Sequence, residues 1–154
     1  MYVYTKPANQ SELNDAINLF NEYASSLNIS LAFQNFTEEL NNINTMYGSP
    51  TGSLLLVYDK NQAIACAAYR IIVEAVCELK RMYIKPNYRG KGIGQKLLDM
   101  LCISAKEVGY KIMRLDTLDT MLPALSLYRK NGFAAIDPYY HNPNEGVVYM
   151  EKVL

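Results

Sequence analysis

Apolar and polar positions follow two rhythms along this chain. From residue 11 to 23, Leu13, Ala16, Ile17, Phe20 and Tyr23 recur at three- and four-residue steps. That spacing predicts an amphipathic helix with Ser11 as its N-cap, after a short strand at residues 2–4. Thr37 opens a second helical stretch with Leu40, Ile43 and Tyr47 as its stripe, diluted by Asn41, Asn42 and Asn44 and ended by Gly48-Ser49-Pro50. The pattern then becomes continuous apolar runs at 54–58, 63–73 and 77–85, joined by short turns. Three such runs predict an antiparallel meander, stopped by Pro86, which has no N–H to give a sheet ladder. Helical spacing returns with Ile93, Leu97, Leu101, Ala105 and Val108, with Gly109 at the C′ position. A strand at 111–118, a helix at 122–131 with Pro123 in its first turn and Gly132 as its stop, and strands at 133–136 and 147–153 complete the chain. The order is α+β, with one strand–helix–strand unit at 77–118.

Composition narrows the class. The 154 residues are 50% hydrophobic and 19% charged, which suits one folded domain over 1–154 with a substantial core. Fifteen basic and fifteen acidic side chains cancel, which argues against a nucleic-acid coat or an anionic-membrane binder. No apolar run approaches the ~20 residues of a membrane span, and the first residues lack the pattern of a secretory signal. A cytoplasmic protein is the expectation. The three cysteines, Cys66, Cys77 and Cys102, show no metal-like spacing and read as reduced, buried thiols. One histidine and no CxxC leave no metal site to expect, and a hydrolase triad would have to use His141.

Chemistry concentrates at Arg89-Gly90-Lys91-Gly92-Ile93-Gly94, between a strand and a helix. Alternating glycines let the backbone take positive φ and let a ligand approach the peptide planes, at the positive end of the helix dipole. Successive N–H groups there form an anion nest, whose natural guest is phosphate. Lys80, Arg81, Lys85, Arg89, Lys91 and Lys96 supply positive charge with no acid between 80 and 96. A P-loop would need Ser or Thr after its lysine, and Lys91 is followed by Gly92. A dinucleotide site would need GxGxxG at the strand end. Only Asp116, placed about where a ribose-binding acid would stand, favours that alternative.

Two segments together resemble the GNAT superfamily of N-acetyltransferases. The first is the strand Arg81-Met82-Tyr83-Ile84-Lys85-Pro86 followed by Arg89 to Gly94, matching Arg/Gln-x-x-Gly-x-Gly/Ala. The second is Ala124-Leu125-Ser126-Leu127-Tyr128-Arg129-Lys130-Asn131-Gly132-Phe133, matching Ala-x-x-Leu-Tyr-x-x-x-Gly-Phe. The resemblance spans essentially the whole chain, most firmly 54–136. It implies a mixed, mostly antiparallel central sheet of six or seven strands with about four flanking helices. The strands near 77–85 and 111–118 would splay apart for the cofactor. It implies acetyl transfer from acetyl-CoA to a primary amine, with coenzyme A as product. The amides of Arg89, Gly90, Lys91, Gly92, Ile93 and Gly94 would hold the pyrophosphate, helped by Gln95. The backbone of Met82, Tyr83 and Ile84 would pair with the pantetheine arm, and the amide near Met82 would face the thioester oxygen. One departure is Met121, where the family often places an asparagine that touches the cofactor arm.

By the same resemblance Tyr128 protonates the departing thiolate. Glu78, on the strand before the glycine turn, is the first choice to take the amine proton, with a water chain or Asp116 as alternatives. On a regular strand Glu78, Lys80, Met82 and Ile84 would share one face. The acceptor pocket points to Phe33, Gln34 and Phe36 and to Tyr139, Tyr140 and His141, with Asp116 opposite. Five acids and one base in the first fifty residues would suit a cationic amine, and a solvated helix face accounts for them as well. Small-molecule and peptide amines are both open as partners, and nucleic acid and membrane are not expected. An edge strand near the C-terminus leaves room for a homodimer. A catalytically silent acyl-CoA-binding module on the same fold is the alternative function.

Overall fold

The computed structural model of the protein describes residues 1–27, 29–31 and 35–154. Seven strands form one sheet: β1 (Tyr2–Thr5), β2 (Ser53–Asp59), β3 (Gln62–Val73), β4 (Val76–Ile84), β5 (Ile112–Leu118), β6 (Ala134–Ile136) and β7 (Val147–Val153). Five α-helices flank it among the described residues: α1 (Gln10–Ser26), α2 (Phe36–Asn41), α3 (Ile43–Met46), α4 (Ile93–Glu107) and α5 (Leu122–Lys130). The strand order is β1-β2-β3-β4-β5-β7-β6, antiparallel except where β4 meets β5.

The apolar runs of β2 and β3 lack polar alternation because both faces are covered. Leu55, Val57, Ala65, Ala67 and Tyr69 pack with Ile93, Leu97, Leu98 and Leu101 of α4. Leu54, Leu56, Cys66 and Ala68 face Ala16, Leu19 and Phe20 of α1 and Ile43 of α3. Successive strand residues point to opposite faces, so a strand buried twice must be apolar throughout.

Three local expectations change. The N-cap of α1 is Asn9, not Ser11: its side chain accepts from the Glu12 N–H at 2.9 Å, and Glu12 Oε2 accepts from the Ala8 N–H at 2.6 Å. This reciprocal capping box satisfies two donors at once, which Ser11 could not do from its place inside the first turn. The second helical stretch is two short helices separated at Asn42, where φ leaves the helical range. Asparagine competes locally for backbone hydrogen bonds, and the Asn42 amide donates to the Glu38 carbonyl at 2.9 Å. Cys66 and Cys77 are buried, whereas Cys102 is half-buried; all three are free.

The meander places β4 centrally, and β4 and β5 run parallel. They pair only over Val76–Ile112, Cys77–Met113 and Glu78–Arg114. Beyond Glu78 the strands separate, as expected, and among the described residues the rest of β4 has no strand partner on that side.

Candidate active site

The glycine turn follows a 3-10 turn at Pro86–Tyr88 and opens α4. Gly90 and Gly92 have φ of +74° and +80°, and a Cβ at either would meet nothing within 4 Å. These two glycines serve the backbone conformation, and the space beside them is open. Gly94 serves packing: a Cβ there would stand 3.3 Å from Ile84 Cδ1 and 3.4 Å from Leu127 Cδ2. Gly92 caps α4 without a side-chain hydrogen bond, which leaves the first-turn N–H groups for a ligand.

The surrounding charge is smaller than the sequence suggests. Lys80 and Arg81 are buried on the far side of the sheet, facing Glu78 and Glu39. Arg89 turns back to the Ile84 carbonyl at 2.9 Å. Lys91 and Lys96 lie 5.3 and 4.3 Å from the rings of Tyr88 and Tyr4. Lys85 pairs with Glu22 at 3.3 Å. Ile93 is buried in the core, so only its backbone faces the turn. Gln95 exchanges hydrogen bonds with Asn131 at 2.7 and 2.9 Å, which ties the start of α4 to the end of α5.

The free edge of β4 carries a bulge. Cys66 pairs with Tyr83 and Ala68 with Lys80, so Ala67 faces both Arg81 and Met82. Arg81 has φ +56°, the left-handed region. The bulge reverses the alternation, so Glu78, Lys80, Met82 and Ile84 do not share a face. Glu78 and Lys80 face the α2 side, whereas Met82 and Ile84 pack with Leu79 in the α4 core. Lys85 donates to the Ile64 carbonyl of β3 at 2.9 Å. Backbone groups alternate in direction, so Ile84 and, two residues earlier, Met82 turn theirs to the open edge.

Tyr128, on α5, lies against this edge. It is buried, its ring meets Phe133 edge-on at 5.7 Å, and its hydroxyl is 4.0 Å from the Met82 sulfur. Burial, with smaller contributions from Tyr23 and Asp116, pushes its pKa well above the ordinary value.

Two tyrosines of the segment after β6 bring the remaining candidates together. Tyr139 donates to Glu78 Oε2 at 2.5 Å, and Tyr140 donates to Asp116 Oδ2. Tyr149 of β7 stacks edge-on against both and donates to the Tyr140 carbonyl at 2.8 Å. Glu78 is buried, and its other oxygen lies 3.1 Å from Arg70 Nε and 3.7 Å from Lys80 Nζ. Burial lowers the pKa of Lys80, which Glu78 partly restores. Asp116 uses one oxygen for both of its hydrogen bonds, from Tyr140 and from Asn142 at 2.9 Å. It lines the wedge between β4 and β5 with Tyr23, Leu79, Lys80 and Arg81. Glu78, Lys80, Tyr139 and Tyr140 line a cleft of about 620 Å³ whose other wall is α2 and α3, with Asn35, Glu38, Asn42 and Thr45.

His141 is exposed and joins none of these hydrogen bonds among the described residues. Phe33 and Gln34 lie outside the described residues; Phe36 begins α2. Sequence reasoning did not single out Tyr23, Arg70, Asn142 or the Glu39–Arg81 pair. Arg70 and Arg81 are polar breaks in apolar strands, a signal that asks for a buried partner. Nothing local tells which acid supplies it.

The acetyltransferase (GNAT) family profile matches residues 14–133. An uncharacterized N-acetyltransferase of Schizosaccharomyces pombe is 40% identical over 141 residues, 90% of this chain and 86% of that protein. A GNAT-family acetyltransferase from Staphylococcus aureus superposes with a TM-score of 0.83 at 21% identity, over 99% of each chain. The PaiA N-acetyltransferase of Thermoplasma acidophilum, solved in complex with coenzyme A, superposes with a TM-score of 0.75 at 21% identity, over 100% of this chain and 99% of that one. The chain belongs to the GNAT family and is an acetyl-CoA-dependent N-acetyltransferase. Among the described residues no helix is long and apolar enough to cross a membrane.

Proposed function

We propose that this protein moves the acetyl group of acetyl-CoA to a primary amine bound in the cleft between α2 and the Tyr139–Tyr140 pair. The observation that carries the reading is the unpaired edge of β4, which runs from the open glycine turn to the buried Tyr128 hydroxyl. The residues fit the cofactor: uncapped N–H groups at the start of α4 for a pyrophosphate, an unpaired strand edge for an amide-bearing arm, and open space beside Gly90 and Gly92. Acetyl-CoA supplies the activated acyl group.

Direct transfer asks three things of the chain. The Met82 amide donates to the carbonyl oxygen as negative charge develops there. Such a donor is worth ~2.7–4 kcal/mol in the transition state. Tyr128, whose proton burial retains, gives it to the departing sulfur. Glu78 takes the amine proton through the Tyr139 hydroxyl, which already donates to it. A second reading has Asp116 as the base: among the described residues both of its hydrogen bonds fall on Oδ2, which leaves Oδ1 to receive a proton in the wedge. Glu78, by contrast, has both oxygens engaged.

Thermal shifts with acetyl-CoA, CoA, NAD and ATP at matched concentrations test the cofactor. A ligand at a hundred times its Kd adds ~2.7 kcal/mol, a rise of roughly 5–10 °C for a chain of this size. The expected result is a rise with the two CoA species alone. A larger rise with NAD would sink the reading. A thiol-release assay over a panel of primary amines then tests transfer; binding of acetyl-CoA with no release from any amine would favour a silent binding module.

A further inference from the structure

Four non-glycine residues have positive φ among the described residues: Asn35, Lys60, Ala75 and Arg81. The first three stand in turns or at a helix start. Arg81 alone lies inside a strand. A side chain in the left-handed region is unfavourable, so something must hold it there.

The holding contact is on α2. Arg81 Nε donates to Glu39 Oε2 at 2.8 Å, and its terminal nitrogen donates to Oε1 at 2.6 Å. Both residues are buried, at 5% and 2% exposure, and the guanidinium lies 5.3 Å from the Phe36 ring centroid. A fork-to-fork pair out of water fixes orientation as well as distance. It fixes Arg81 directly before Met82, in the stretch of β4 that has lost β5 as a neighbour. On the β3 side the Arg81 carbonyl accepts from the Cys66 thiol at 3.3 Å, and the ion pair fixes the side chain from the α2 side.

We infer that the Glu39–Arg81 ion pair positions the Met82 amide, and that Glu39 is thereby a positioning residue for acetyl transfer; this rests on the reading that Met82 receives the thioester oxygen. The same pair joins two sites. Glu39 lines the acceptor cleft with Glu38 and Asn42, and Arg81 lines the wedge beside Asp116. An acceptor that moves α2 therefore moves the carbonyl-binding edge. Positioning errors are costly in such a geometry: about 1 Å can cost on the order of a hundredfold in rate.

The test needs no acceptor. Acetyl-CoA labelled with carbon-13 at its carbonyl is bound to the full chain, and the thioester stretch is read by isotope-difference infrared spectroscopy. In the unaltered protein a donated hydrogen bond lowers the stretch relative to free acetyl-CoA. Glu39→Gln keeps the shape and removes the charge. The expected result is loss of most of that lowering with the Kd for CoA unchanged. With an amine from the panel, the loss falls on kcat and not on KM for acetyl-CoA. An unchanged stretch in Glu39→Gln, with only a lower Tm, would overturn the inference, since a merely structural pair predicts that. No lowering in the unaltered protein would instead remove the Met82 reading and the inference with it. Should Glu39→Gln fail to fold, Glu39→Leu/Arg81→Met leaves no charge buried alone and carries the same measurement. If neither folds, the pair is a scaffold contact and the positioning claim falls.

Discussion

The two ends of the proposed active site are built differently. The glycine turn and the start of α4 use backbone: positive φ at Gly90 and Gly92, close approach at Gly94 and uncapped N–H groups, all within a few consecutive residues. The acceptor end uses side chains from α1, α2, β3, β4, β5 and the segment before β7, brought together by Tyr139 on Glu78, Tyr140 on Asp116 and Glu39 on Arg81. A backbone site tolerates most changes to its non-glycine side chains. A side-chain site can be retuned one residue at a time, and it is where acceptors would be told apart.

That contrast can be broken most sharply at Tyr128. Tyr128→Phe should lower kcat by roughly 10²–10⁴-fold, the usual contribution of a positioned acid, with CoA affinity by calorimetry unchanged. Equal loss of both would make Tyr128 a packing residue. Burial raises its pKa in the folded protein above the ordinary phenol value near 10. The folded form therefore keeps this proton where the unfolded chain loses it, and the linked loss of stability comes only as pH climbs past about 10. The acid limb of kcat/KM should be unmoved in Tyr128→Phe.

Glu78→Gln and Asp116→Asn come next. The variant that removes the base should lose about 10²-fold in kcat/KM and flatten the acid limb, while the other shifts KM for the amine. A pH profile of each separates them, and two flattened limbs would point to a coupled pair. At the backbone end, Gly92→Val forces a branched side chain to φ +80°. The strain is on the order of 1–3 kcal/mol. It should appear as weaker CoA binding and a lower Tm, with kcat at saturation nearly kept. A kcat loss as large as that of Tyr128→Phe would erase the distinction between the ends. The smallest effect belongs to neither end: Asn9→Ala removes the cap of α1 and should cost ~1 kcal/mol in thermal unfolding with kinetics unchanged.

Legibility in the sequence follows the same division. The runs that became β2, β3 and β4, the spacing of α4 and the stops at Gly109 and Gly132 were readable because periodicity and glycine act within a few residues. The glycine turn was readable for the same reason, whereas Tyr128 stood out only through the family segment it belongs to. The N-cap was misplaced by two residues, because Ser11 and Asn9 are both good caps and only the reciprocal bond to Glu12 separates them.

The strand bulge had no local signal. Arg81 is not glycine, its backbone is left-handed, and its side chain pairs with Glu39, 42 positions away in sequence. So the expected shared face of Glu78, Lys80, Met82 and Ile84 failed at that point, and the basic cluster around the turn proved to be partly turned inward. By itself the sequence determined the α+β order and the glycine turn between β4 and α4, since these depend on short-range backbone preference and on burial periodicity; the splayed pair was expected only from the family resemblance. Only the tertiary structure decided that Tyr139 meets Glu78, that Tyr140 meets Asp116 and that Arg81 meets Glu39. Buried charges and hydroxyls must find partners, but which partner each finds is set by how distant segments pack, not by the residues beside them.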